Sequence, residues 1–148
     1  MAPARVHGRF LAGEVGDLAG VSGTTIGQWA RRGYIRASQS GGDPHVYSLE
    51  DVLEASVVHA LLERGIAHAA IRRTIAALAE YGDWPLTVAP LATTSGNGGP
   101  RVALAERDGV YVLSGRGWQR LAVEPPLRRL RPAVPGLPAR GADAPDGD

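Results

Sequence analysis

Thr24, Thr25, Gln28, Arg31 and Arg32 fall within one nine-residue stretch, and helical winding brings them to one polar face. Hydroxyls and a carboxamide can bond base edges or phosphates, and arginine suits both phosphate and the acceptor edge of guanine. Ser22 stands just ahead of the stretch and Arg36 just beyond it. No acidic residue lies between Asp17 and Asp43, so the positive field of Arg31, Arg32 and Arg36 is local, although the whole chain carries a formal charge of only +1. This is the chemistry of contact with nucleic acid rather than of bond making.

Other residues with chemical potential do not assemble. His7, His45, His59 and His68 are scattered, so no metal site is expected. Gly96-Asn97-Gly98-Gly99 lacks the following lysine and helix of a phosphate loop. Glu50, Asp51 and Glu54 fit the first turn of a helix, where capping and the helix dipole favour carboxylates. Ser95 and Ser114 have no base nearby in sequence, and neither an enzyme nor a cofactor is expected. With no cysteine among the 148 residues, disulfides, zinc–thiolate sites and thiol redox chemistry are excluded. No apolar run is long enough to span a bilayer and the N-terminus has no signal-peptide core, so a cytoplasmic protein with no membrane partner is expected. All sixteen basic residues are arginine, which with abundant Ala, Gly and Pro reads as the coding bias of a G+C-rich genome.

The elements that must position the polar face follow from periodicity. Ala12, Val15, Leu18 and Ala19 make a short apolar stripe, Gly20-Val21-Ser22 a turn, and Ile26, Trp29 and Ala30 the inner side of a second helix that stops at Gly33. Ile35–Ser38 and Val46–Tyr47 then fit a two-stranded wing around Gly41-Gly42-Asp43-Pro44. Ser48-Leu49-Glu50-Asp51 is a capping-box pattern ahead of a stripe of Leu49, Val52, Leu53, Val57, Ala60 and Leu61. Beyond Trp84–Pro85 the pattern becomes short β-like runs: Leu86–Leu91, Arg101–Glu106, Val110–Leu113 and Trp118–Val123, with Arg107-Asp108-Gly109 as a hairpin turn. Prolines, arginines and aspartates from Pro125 onward predict a disordered tail. The expected fold is α+β: a flexible terminus over 1–8, a winged helix-turn-helix over 9–82, a small antiparallel β extension over 83–124 and a tail over 125–148. An isolated hairpin is marginal in water, so the extension must pack on the helices, pair with a second protomer or offer an edge to a partner.

Roughly residues 10–80 resemble the winged DNA-binding domain of MerR-type regulators. The resemblance rests on Gly13-Glu14-Val15, Leu18-Ala19-Gly20-Val21-Ser22, Thr25, Ile26, Trp29, Arg32-Gly33, Tyr47, Leu49-Glu50-Asp51-Val52, Glu63-Arg64-Gly65-Ile66 and Ile71-Arg72. It implies a homodimer on a palindromic operator in double-stranded DNA, the second helix in the major groove and the wing on the backbone. Ser22, Thr24, Thr25, Gln28, Arg31, Arg32, Arg36, His45 and Tyr47 would then face DNA. Two positions depart from the pattern: Gly27 and His45 stand where that family commonly has arginines. The long dimerisation helix of its ligand-sensing members is also missing, because Asp83-Trp84-Pro85 ends the helical pattern. Arg64-Gly65-Ile66, the helix Ile71–Leu78, Trp84-Pro85-Leu86, Asp108-Gly109 and Gly117-Trp118-Gln119 are similar to MerR-like antitoxins related to VapB-type proteins. That second resemblance implies a protein toxin, a ribonuclease, as partner. Tyr111, Trp118, Arg128 and Arg129 would be the partner-binding residues, with a small core and a solvated tail as the alternatives.

Overall fold

A computed structural model of the chain describes residues 9–37, 46–96, 98–115 and 117–133. The chain divides into two compact units, and the division falls between His59 and Ala60, inside a helix.

In the first unit, α1 (Ala12–Ala19) and α2 (Gly23–Arg31) are joined by three residues. Val15 and Ala19 of α1 are buried, and the Glu14 carboxylate accepts the Leu11 N–H at 2.8 Å, satisfying a donor that a helix start leaves over. Gly20 ends α1 at φ +92°, a left-handed conformation that side chains disfavour, and its N–H returns to the Gly16 carbonyl at 2.8 Å. Ser22 caps α2, its Oγ accepting the Thr25 N–H at 3.1 Å and donating to Thr25 Oγ1 at 3.0 Å. Ile26 and Trp29 point into the core, 0% and 3% exposed.

The close approach of α1 and α2 depends on glycine. A Cβ on Gly16 would lie 2.5 Å from the Val21 carbonyl oxygen, and one on Gly23 would lie 3.0 Å from Gly13 Cα. At Gly16 only hydrogen fits unless backbone moves. Helix α3 (Leu49–Glu63) opens with the expected reciprocal box: Ser48 Oγ accepts the Asp51 N–H at 3.2 Å, and the Ser48 N–H donates to Asp51 Oδ2 at 2.8 Å.

The predicted wing is corrected at Tyr47. Its N–H and C=O both pair with Phe10, at 2.8 and 2.9 Å, in an antiparallel bridge. Both backbone groups of Tyr47 are therefore spent on Phe10, and neither is left to bond Ile35–Ser38. Residues 35–37 belong to no strand. Ser38, the turn Gly41-Gly42-Asp43-Pro44 and His45 lie outside the described residues, as do residues 1–8 and His7.

The second unit holds α4 (His68–Ala77), a 3₁₀ turn at Ala79–Tyr81 and a single helical turn α5 (Pro85–Val88). Five antiparallel strands follow: β1 (Leu91–Thr94), β2 (Arg101–Glu106), β3 (Gly109–Ser114), β4 (Gly117–Arg120) and β5 (Arg128–Arg129), in the order β4-β3-β2-β1-β5. The register places Leu104 opposite both Leu91 and Tyr111, so these three share one face of the sheet. Ala103 lies between Ala92 and Val112 on the other face, where Ala92, Ala103, Val110 and Val112 are buried beneath Leu121 and Leu127.

Several expectations for this half are corrected. Residues 85–88 are helical rather than part of a strand, because Pro85 at the first helical position already has the required φ. The fourth strand is Gly117–Arg120 rather than Trp118–Val123. The tail does not begin at Pro125: Leu127 packs on the sheet, Arg128–Arg129 form β5, and the Leu130 N–H donates to the Leu91 carbonyl at 3.0 Å. Residues 134–148 lie outside the described ones. The compact unit begins at Ala60 rather than at residue 83, since α4 and the sheet are tied by hydrogen bonds, among them Trp118 Nε1–H to the Ala77 carbonyl at 3.1 Å.

Arg64 clasps β1 and β5. Its guanidinium donates to Thr93 Oγ1 at 3.0 Å and to the carbonyls of Arg128 at 2.8 Å and Arg129 at 3.0 Å. Burial first, then the positive charge of Arg128, lowers its pKa. Hydrogen bonds to a charged donor are the stronger kind, so Arg64→Ala is expected to destabilise the second unit by about 2 kcal/mol. Hydrogen exchange at the Leu130 amide checks this: the variant should lose protection there first, and unchanged protection would rule out the clasp.

Candidate nucleic-acid interface

Thr24, Gln28 and Arg31 run along α2 at positions i, i+4 and i+7, all exposed, with exposed Arg32 beside them. Ser22 is exposed at the N-cap, and Arg36 is exposed beyond the helix end. Thr25 is half-buried; its Oγ1 accepts from Ser22 and keeps its own proton to donate. The inner residues Ile26 and Trp29 fix the helix, so the polar face projects from a rigid element. No acidic residue stands anywhere in α2, and its N-terminal end carries the positive pole of the helix dipole.

Gly27 lies in the middle of this face. A Cβ there would meet only Arg31 Nη1, at 3.5 Å, an ordinary contact. The Arg31 guanidinium therefore folds back one turn over the space that a side chain at 27 would occupy. Arg31 also acts on Tyr47: burial first, then Asp51, pushes the phenol pKa up, and the positive charge of Arg31 opposes them. One arginine thus stands near both the helix centre and the residue that closes the wing segment.

Tyr47 itself is a correction. Expected at the DNA, its side chain is 0% exposed and belongs to the core. The pairing with Phe10 on both backbone groups holds its backbone there. His45 lies outside the described residues.

The four residues read as partner-binding do not gather. Tyr111 and Trp118 are half-buried on β3 and β4, at one end of the strand order, and Trp118 is held by its bond to Ala77. Arg128 and Arg129 are exposed on β5, at the other end. Packing accounts for Trp118, and the carbonyls rather than the guanidiniums of Arg128 and Arg129 serve the clasp with Arg64.

Sequence reasoning missed Gly16 and Gly23, whose lack of a Cβ sets the helix-turn-helix approach. Small residues facing a three-residue turn were the available signal. Among the described residues no group of three His, Asp or Glu is placed to hold a metal ion, and no helix is long and apolar enough to cross a membrane.

The sequence model of the MerR HTH family regulatory protein matches residues 11–78, just under half of the 148-residue chain and the span from α1 to the end of α4. No curated protein and no solved structure matches the chain.

Proposed function

With residues 11–78 matched as a MerR-type helix-turn-helix region, we propose that the chain is a dimeric, sequence-specific repressor that sets α2 into the major groove of a palindromic operator. At the family level such a region marks a DNA-binding transcriptional regulator, and the family is one of regulators rather than of enzymes. The observation that carries the finer reading is the exposed, acid-free face of Thr24, Gln28, Arg31 and Arg32 on a helix anchored by Ile26 and Trp29. Such a protein works in the cytoplasm, beside its operator.

Arg31, Arg32 and Arg36 supply about three contacts per protomer, which, if all go to phosphate, give a salt slope of about −5 for the dimer. Fluorescence-anisotropy titration of the DNA upstream of its own gene, against a scrambled duplex, tests the proposal. A preference of at least about tenfold at low salt is expected, well inside the range of specific regulators. Equal affinity for both duplexes would refute it.

Gly27→Arg provides a gain-of-function check. A Cβ there meets only the flexible end of Arg31, at an ordinary 3.5 Å, so a longer side chain fits once Arg31 swings aside, and replacing glycine inside a helix gains up to about 1 kcal/mol of stability. The variant is expected to bind DNA more tightly and to steepen the salt slope by about 1 per protomer. A thermal melt and the same titration read both effects, and no gain in affinity would place Gly27 away from DNA.

A second reading, an antitoxin that also represses its own operon, is favoured by the edge strand β4. No strand pairs beyond it among the described residues, and Gln119 and Arg120 are exposed. Such an edge can add a partner strand. Co-expression with the product of an adjacent small gene tests it: a stable complex that relieves growth arrest supports the reading, and free toxicity refutes it.

A further inference from the structure

The second unit contains a cavity that DNA contact does not use. It is open, about 540 Å³ in volume, and three aromatic rings, Tyr81, Tyr111 and Trp118, line it around Leu104. Cavities of roughly 300–1,000 Å³ are the size at which small ligands are held. The register explains the gathering: Leu104 pairs with Tyr111 across β2 and β3, Leu113 pairs with Trp118 across β3 and β4, and the 3₁₀ turn supplies Tyr81.

Polar groups in the wall have one sign in excess. Glu80, Glu106 and Asp108 line the cavity against Arg107, a formal balance of three negative charges and one positive. Tyr81 donates its hydroxyl hydrogen to Glu106 Oε2, and Tyr111 donates to Asp108 Oδ2 at 2.8 Å. Each carboxylate is thereby oriented yet keeps further acceptor positions. Arg120, the neighbouring cation, donates instead to the backbone carbonyl of Asp108. The Tyr81 hydroxyl is pushed up to about 12, first by its bond to Glu106, so it remains a neutral donor below about pH 10.

Ring faces attract cations, and a carboxylate accepts a planar amidinium or guanidinium through two parallel bonds. We propose that this cavity binds a small organic cation, an amidinium, guanidinium or alkylammonium group carried on an apolar body. The aromatic walls take the body, and Glu106 and Asp108 take the charge. The site lies wholly in the second unit and stands independently of DNA binding.

Titration of the full chain with benzamidinium, followed through the Trp118 indole N–H resonance, tests the proposal, with benzamide as a neutral probe of nearly the same shape. Saturable shifts at Trp118 and Tyr111 are expected for benzamidinium, with a Kd on the order of 1 mM or tighter. Benzamide is expected to bind at least about tenfold more weakly, and Glu106→Gln and Asp108→Asn should each reduce benzamidinium affinity several-fold. Equal binding of the two probes to the wild-type chain, or shifts confined to residues away from the cavity, would overturn the proposal whether or not the variants fold.

Discussion

Gly16→Ala is expected to destabilise the helix-turn-helix unit by roughly 1–3 kcal/mol, the range of steric overpacking, and to abolish DNA binding. The added Cβ would sit 2.5 Å from the Val21 carbonyl oxygen and 2.8 Å from the Ser22 carbonyl carbon. Both are backbone atoms, in the turn that Gly20 and Ser22 hold, and no rotamer relieves the contact. Either α1 shifts or the turn opens, and in both cases α2 loses its angle. Gly13→Ala is the control, because a Cβ at Gly13 meets nothing within 4 Å. That variant should gain up to about 1 kcal/mol from helix propensity. Urea midpoints of the two variants should therefore move in opposite directions. A Gly16→Ala protein as stable as the wild type would contradict the close approach of α1 and α2.

Arg31→Ala/Arg32→Ala should leave stability within about 0.5 kcal/mol of the wild type, since both side chains are exposed. Its DNA affinity should nevertheless fall by about a hundredfold or more at moderate salt, and the salt slope should become shallower by about 1 per protomer for each of the two arginines that contacts phosphate. The single variants divide the work. A contact with guanine relaxes base preference at one position, whereas a contact with phosphate weakens all sequences alike. Arg31 folds over Gly27 towards the centre of α2, which makes it the candidate for the base contact. Unchanged affinity in the double variant, with the fold intact, would move the interface off this face.

What was legible in the sequence was local. The stripe of Val15 and Ala19, the left-handed Gly20, the Ser22 cap and the Ser48–Asp51 box depend on residues a few positions apart, and each is found where periodicity and capping place it. The hairpin at Arg107-Asp108-Gly109 is local in the same sense. What failed depended on distant partners. Tyr47 was read outward by resemblance, but Phe10, far back in the chain, takes both its backbone groups. The disorder expected of the tail from its prolines and arginines fails at residues 127–130. Arg64, more than sixty residues away, holds Arg128 and Arg129 through their carbonyls, and side-chain composition does not report on carbonyls. The aromatic cavity was missed because Tyr81 and Glu106 meet only once α4 and the sheet form one unit.

The central claim is that the exposed face of α2 reads base sequence. Selection from a randomised duplex library, run in parallel with the wild-type chain and Gln28→Ala, tests it most directly. Gln28 is exposed at the middle of that face and contributes nothing to the buried core. The wild-type chain is expected to enrich one recurrent palindrome, with half-sites about one helical turn apart. Gln28→Ala should enrich the same palindrome with the requirement relaxed at one symmetric pair of positions. Identical enriched sites for both proteins, or no enriched site for the wild type, would contradict it.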